Sequence, residues 1–176
     1  LASLMVVKEK IDLKQHGLRL LFCSVFGVAA NMLMFFKGLE ITTPINGAVL
    51  MLATPIFVFV LNTIINKQKM LMSQLLGILI ACLGCFMLMS GKNFEFSSVT
   101  FIGDVLIVLN AISYAGYLVL AKELLKHYHI ITVSKYTFAI GAILVLPFGW
   151  QELNEAKFAL MNTEIVIKIV FIIIFT

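Results

Sequence analysis

Charged residues cut this chain into apolar runs of very regular length. From Ile41 to Ile65 there are 25 residues without a charge, more than the ~20 a helix needs to cross a ~30 Å hydrocarbon layer. A second apolar run ends just before it, so NMLMFFKGLEITTPINGAVLMLATPIFVFVLN, residues 31–62, reads as the end of one membrane span, a turn and a span that doubles back. Within the turn, Gly38 is expected to stop the incoming helix, Thr42 and Thr43 can cap the next, and Pro44 falls at its first turn, where a missing N–H costs nothing.

The same alternation predicts spans over roughly 17–39, 43–65, 70–91, 102–121 and 136–150, with partial spans at 1–7 and 164–176. The link NKQK between the second and third complete spans is so short that they must be antiparallel neighbours. Both ends of the sequence fall inside apolar runs, which is read as a piece of a longer protein. The expected fold class is therefore all-α, a polytopic helical membrane protein.

Charge then orients the spans. The polar loops on one side hold Lys8, Lys10, Lys14, Arg19, Lys67, Lys69, Lys122, Lys126 and Lys135; the other side holds Lys37, Lys92 and Lys157, with Lys168 at the start of the last run. By the positive-inside rule the first side is cytoplasmic, and the bias alternates across every span. The opposite loops carry Glu40, Glu95, Asp104, Glu152, Glu155 and Glu164.

Composition narrows the class. Of 176 residues 61% are hydrophobic and 12% charged, against roughly 45–50% and 25% in soluble domains. The lipid bilayer is the expected first partner. The net charge of +4 comes from 13 basic residues scattered singly or in pairs beside apolar runs, a spacing that fits topology rather than nucleic acid. Cys23, Cys82 and Cys85 all fall inside spans and form no disulfide framework. No nucleotide-binding loop, nucleophile elbow or zinc motif is present, so neither a cofactor nor enzymatic chemistry is expected.

Against this background, GVAANMLMFFKGLEITTPINGAVLMLATPIFVFVLNTIINKQKMLMSQLLGILIACLGCFMLM followed by GDVLIVLNAISYAGYLVLAKELLK and YTFAIGAILVLPF resembles the EamA-type branch of the drug/metabolite transporter superfamily. The similar features are the aromatic pair before ITTPINGAVL, the proline of LATPIF, the short basic link and the span QLLGILIACLGCFML. The resemblance implies a ten-span inverted repeat of five plus five with both termini in the cytoplasm. Residues 1–91 would then be the C-terminal part of the first repeat, 92–100 a connection and 101–176 the N-terminal part of the second, covering the end of span two to the start of span eight. Tyr114, where similar sequences often have Trp, and Lys37 depart from the pattern and leave the solute open.

Polar residues inside a bilayer are costly unless paired or facing a cavity, which makes them the candidate site. Ser24, Gly27 and Asn31 lie within about 60° of one another on an ideal helix, and Asn110, Ser113, Tyr114 and Tyr117 form a second stripe with Gly103. Each stripe reads either as a cavity lining or as a hydrogen-bonded seam between helices. Asn46 and Asn62 are about 160° apart by the same arithmetic and cannot share one cavity. At Thr54-Pro55 the proline withholds a donor from the carbonyl four residues back, and a kink follows. Ser73, Gly77, Ala81 and Cys85, at four-residue spacing, form a small-residue ridge that reads as packing. Asp104, at the outer end of its span, reads as helix-terminus stabilisation or as a proton-coupling group.

The expected function is a secondary transporter or exporter of small metabolites, such as amino acids or drugs, working by alternating access in the cell membrane, a bacterial inner membrane. A small-molecule solute is its expected partner, and a homodimer is left open. The competing readings are an integral membrane enzyme or flippase acting on lipid-linked substrates, and a membrane subunit without transport activity.

Overall fold

The computed structural model describes residues 9–67, 71–91, 100–155, 167, 168 and 171. The partial span expected at 1–7, the connection over 92–99 and most of the run at 164–176 lie outside the described residues. The chain divides into two compact units, 1–144 and 145–176. In the second, helix continues to Glu155 and contains Pro147.

The described structure is helical throughout. Helix α1 (Leu13–Ser24) begins earlier than the expected Gly17, because the Asp12 carboxylate accepts from the amides of Lys14 at 2.9 Å and Gln15 at 3.4 Å and so caps two of the donors a helix start leaves free. It passes through one π-helical turn, Val25–Ala29, into α2 (Ala30–Ile41), making a continuous run of 29 residues. Gly38 does not stop this helix. Instead it sits inside α2, where a Cβ would lie 2.9 Å from Ile107 and 3.1 Å from the Gly103 carbonyl, so its small size serves helix contact rather than termination.

The reversal falls on Thr42 and Thr43, both extended. Thr43 caps α3 (Pro44–Met51) by accepting from the Asn46 amide at 3.2 Å, with Pro44 in the first turn. A break at Leu52 and Ala53 separates α3 from α4 (Thr54–Asn66). The Met51 carbonyl, which Pro55 leaves without its usual donor, accepts from the Thr54 hydroxyl at 2.7 Å. Lys67 ends α4 in the left-handed region at φ 48°. Then come α5 (Met72–Gly91), α6 (Phe101–Leu124) and α7 (Ile130–Glu155). Among the described residues four helical runs are long and apolar enough to cross a membrane: Leu13–Ile41, Pro44–Asn66, Phe101–Leu124 and Ile130–Trp150.

Helix α6 is the centre of the first unit, packed against α1, the π turn, α2, α3 and α4. Its buried residues, Gly103, Asp104, Ile107, Asn110, Ala111, Ser113, Ala115, Val119, Ala121 and Leu124, run along its whole length, while Phe101, Ile102, Val105, Leu109 and Leu118 remain exposed. In lipid such exposed apolar groups cost nothing, and helix association rests on close packing and interhelical hydrogen bonds. Close packing is visible where glycines meet side chains. A Cβ on Gly27 would lie 2.5 Å from the Tyr117 ring, and Gly141 is pressed against Val28. Below these contacts Ile11, Leu20, Cys23, Ala121, Leu124 and Val133 form an apolar core flanked by Tyr117, Tyr128 and Tyr136.

Candidate functional site

The two polar stripes expected on separate spans meet each other. Asn110 on α6 donates from Nδ2 to the Asn31 carbonyl at 2.7 Å, and the Ser113 hydroxyl donates to the Phe26 carbonyl at 2.8 Å. Phe26 belongs to the π turn, so side chains of α6 serve the carbonyls of a helix whose ladder is locally widened. The π turn also breaks the first stripe. One extra residue in a turn rotates everything beyond it by about 100°, which carries Asn31 off the face of Ser24. Accordingly Ser24 is fully buried and donates to its own Leu20 carbonyl at 2.9 Å, whereas the Asn31 side chain is only half-buried. Asn110 Oδ1 is buried and has no hydrogen-bond partner among the described residues. Tyr114 and Tyr117 pack ring to ring at 5.8 Å, Tyr117 half-buried over Gly27 and Tyr114 more exposed.

A groove of about 490 Å³ lies between α4 and α6, lined by Thr54, Pro55, Val58, Phe59 and Asn62 on one side and Leu118, Val119 and Lys122 on the other. It is apolar along its walls, with Thr54 at one end and the Lys122 ammonium near the basic loops at the other. Of the sequence candidates, Thr54 and Pro55 line it directly. Asn62 also lines it, and its Oδ1 accepts from Asn66 at 2.7 Å. Leu118, Val119 and Lys122 have no polar pattern to single them out. Only the crossing of α4 over α6 makes them a wall.

Asn46 belongs elsewhere. It is fully buried at the opposite end of α6, where its Nδ2 donates to Asp104 at 3.3 and 3.4 Å and the Thr42 hydroxyl also donates to Asp104. Thr42 carried no sign of this in the sequence beyond its place in the turn. The fit is tight, since a Cβ on Gly103 would lie 2.6 Å from the Thr42 nitrogen and 2.8 Å from the Gly38 carbonyl. At the same end Lys37 pairs with Glu40, three residues along its own helix, at 2.7 Å, both exposed.

On the small-residue ridge of α5, nothing among the described residues lies within 4 Å of where a Gly77 Cβ would stand. Ser73 is exposed and Ala81 half-buried, while the side chain of Cys85 lies outside the described residues. At the basic end the segment before α1 is stitched to the loop after α6. The Asp12 amide donates to the Tyr128 hydroxyl at 3.1 Å, the His129 amide donates to Glu9 at 2.9 Å, and His16 stacks on His127 at 5.3 Å. The His129 N–H holds the exposed Glu9 carboxyl below its ordinary value.

The profile of the EamA-like transporter family matches residues 1–90 and 101–176. The chain is 29% identical to the uncharacterized transporter YyaM of Bacillus subtilis over 140 residues, 78% of this chain and 46% of that protein. It is 30% identical to an uncharacterized transporter of Archaeoglobus fulgidus, over 77% of this chain and 48% of that one, and 30% identical to the uncharacterized transporter YcbK of Bacillus subtilis, over 71% and 40%. The chain thus spans about half the length of the curated relatives it matches. No solved structure matches it.

Proposed function

The chain belongs to the EamA-like transporter family, a family of multi-pass membrane transporters, and from that premise we propose that the protein is a secondary transporter or exporter of small metabolites working by alternating access, with its solute path along α6. The observation that carries this reading is the α4–α6 groove, because one of its walls is the helix that breaks at Leu52–Ala53 beside Thr54 and Pro55. A broken helix at bilayer depth is tolerated where it is buried in protein or lines a water-filled cavity. At Leu52 and Ala53 the backbone bonds back three residues instead of four, to Val49 and Leu50, and in this reading that interruption is the hinge between α3 and α4.

The surroundings match that use. The groove lies in the half of α6 near the basic loops, the side that the positive-inside rule assigns to the cytoplasm, while Asn110 and Tyr117 face α2 and the π turn on another side of the same helix. Apolar walls with few polar groups suit a solute with an apolar body and one or two hydrogen-bonding groups. The protein is placed in the cell membrane as part of a ten-span inverted repeat, and a second copy as a further partner remains part of the same proposal.

The test is thiol accessibility in the full-length protein, in a background with Cys23, Cys82 and Cys85 replaced by Ala. Leu118→Cys and Val58→Cys should react with a membrane-impermeant maleimide from the cytoplasmic side, and Leu79→Cys, exposed on the apolar face of α5, should not. Unreactive groove positions in every condition would mean that the groove is filled by protein and that the solute path runs elsewhere.

A further inference from the structure

Asp104 is an acidic residue buried at the end of a membrane span, only 6% exposed, and the groove makes no use of it. Burying a carboxyl in a membrane protein is expensive without partners. Here the Thr42 hydroxyl and the Asn46 amide supply them, and both are neutral. Their positions give the arrangement its meaning. Thr42 is the extended residue that follows α2, and Asn46 stands in the first turn of α3, so one donor lies in the reversal of the Leu13–Asn66 hairpin and the other just after it. The acceptor stands in the first turn of α6, in the second repeat. Gly103 brings the two backbones as near as backbones can come, so a small tilt of the hairpin against α6 would part all three side chains together. The groove lies between α4 and the other half of α6, towards the basic loops.

We propose that Asp104 is a positioning residue: with Thr42 and Asn46 it forms a latch that holds the α2–α3 turn against α6 and closes the acidic end of the bundle while the groove is open at the basic end. Release of the latch lets the turn swing from α6 and exposes the face beneath it, beginning at Ile107, which is fully buried against Gly38. This use of the latch rests on the alternating-access reading, whereas the closure itself needs no solute to be observed.

The experiment therefore reads closure directly. In the full-length protein with Cys23, Cys82 and Cys85 replaced by Ala, Ile107→Cys is labelled by a membrane-impermeant maleimide added outside intact cells. The parent should label slowly. Asp104→Leu and Thr42→Val should each raise the rate by about tenfold, the change in an opening equilibrium expected when a buried polar group loses its hydrogen-bond partner. Thr42→Ser keeps the hydroxyl and should label like the parent, a rescue that mere packing at this site would not produce. Two readings that carry the argument, Asp104→Leu and Thr42→Val, guard against one variant failing to insert. Unchanged labelling in variants present at parental amounts in the membrane overturns the latch, as does loss of all three variants, Thr42→Ser included, from the membrane. Leu118→Cys, labelled from the cytoplasmic side, separates the two proposals. If it slows in the latch variants, both stand; if it is unchanged while Ile107→Cys becomes reactive, the latch stands and alternating access falls.

Discussion

Gly27 shows how a single missing methyl group decides the contact between the π turn and α6. Tyr117 lies across it so closely that a Cβ would overlap the ring at 2.5 to 3.1 Å. Gly27→Ala should therefore force the ring aside and destabilise the protein by about 1–3 kcal/mol, the usual cost of overpacking, and Tyr117→Leu in the same chain should recover part of it. Thermal unfolding in detergent, compared across the two single variants and the double, checks the coupling. Equal losses for Gly27→Ala with and without Tyr117 would show that the ring is not what the methyl meets. A second residue acts through charge. Glu9 accepts from the His129 amide, and that bond lowers its pKa. A carboxyl whose folded value is depressed adds stability above its unfolded value of 4.5 and loses it as pH falls through the lower folded one. The tie between the leading segment and the α6–α7 loop should therefore be whole at neutral pH and come apart only below pH 4.5. Protease cleavage near His129 should rise over that acid range in the wild type, while Glu9→Gln, which cannot titrate, should show no such step.

At the scale of elements, two helices are broken where a reader of periodicity would draw them straight, for opposite reasons. The interruption at Leu52–Ala53 was legible, because Pro55 cannot donate to Met51 and Thr54 can. The π turn at Val25–Ala29 was not. VFGVA holds no proline and no residue that refuses an α-helical backbone. What sustains the extra residue is Ser113 bonding to the Phe26 carbonyl and Tyr117 filling the space over Gly27, partners more than 80 residues away in the chain. This is also why the stripe of Ser24, Gly27 and Asn31 does not survive as a face. Pro55→Ala tests the first break. It restores a donor for Met51 and removes a residue that is ~3 kcal/mol unfavourable inside a helix, so α3 and α4 should straighten into one helix. The distance between spin labels at Ile45 and Ile64, measured by pulsed electron resonance, should lengthen and its distribution narrow. An unchanged distance would assign the break to packing against α6 instead.

For the whole molecule, topology is the most consequential expectation. Basic residues cluster on alternate loops, and the positive-inside rule turns that bias into an orientation. A reporter fused after Lys69 or Lys126 should read as cytoplasmic, and one fused after Lys92 or Glu155 as external. An inverted reading at any of these four points would break the alternation on which the placement of the groove and of the latch depends.

The hydrophobic pattern by itself determined that the chain is built of membrane-spanning helices, because in lipid every backbone donor must be met within its own helix and only long apolar runs can do that; it did not show that α1 begins at Leu13 rather than Gly17, or α7 at Ile130 rather than Tyr136. It also exposed the local chemistry that acts over one turn: the Thr43 cap, Pro44 at the helix start and the exchange between Thr54 and Met51. Which polar residues share a site was decided by tertiary structure alone. Asn46 and Asp104 are 58 positions apart and Thr42 and Asp104 are 62, and no periodicity within one span reports on a neighbour. The groove takes its second wall from Leu118 and Val119, apolar residues indistinguishable in sequence from those that face lipid. Helix crossing, set by glycines small enough to let backbones meet, chose among positions that the sequence had left equivalent.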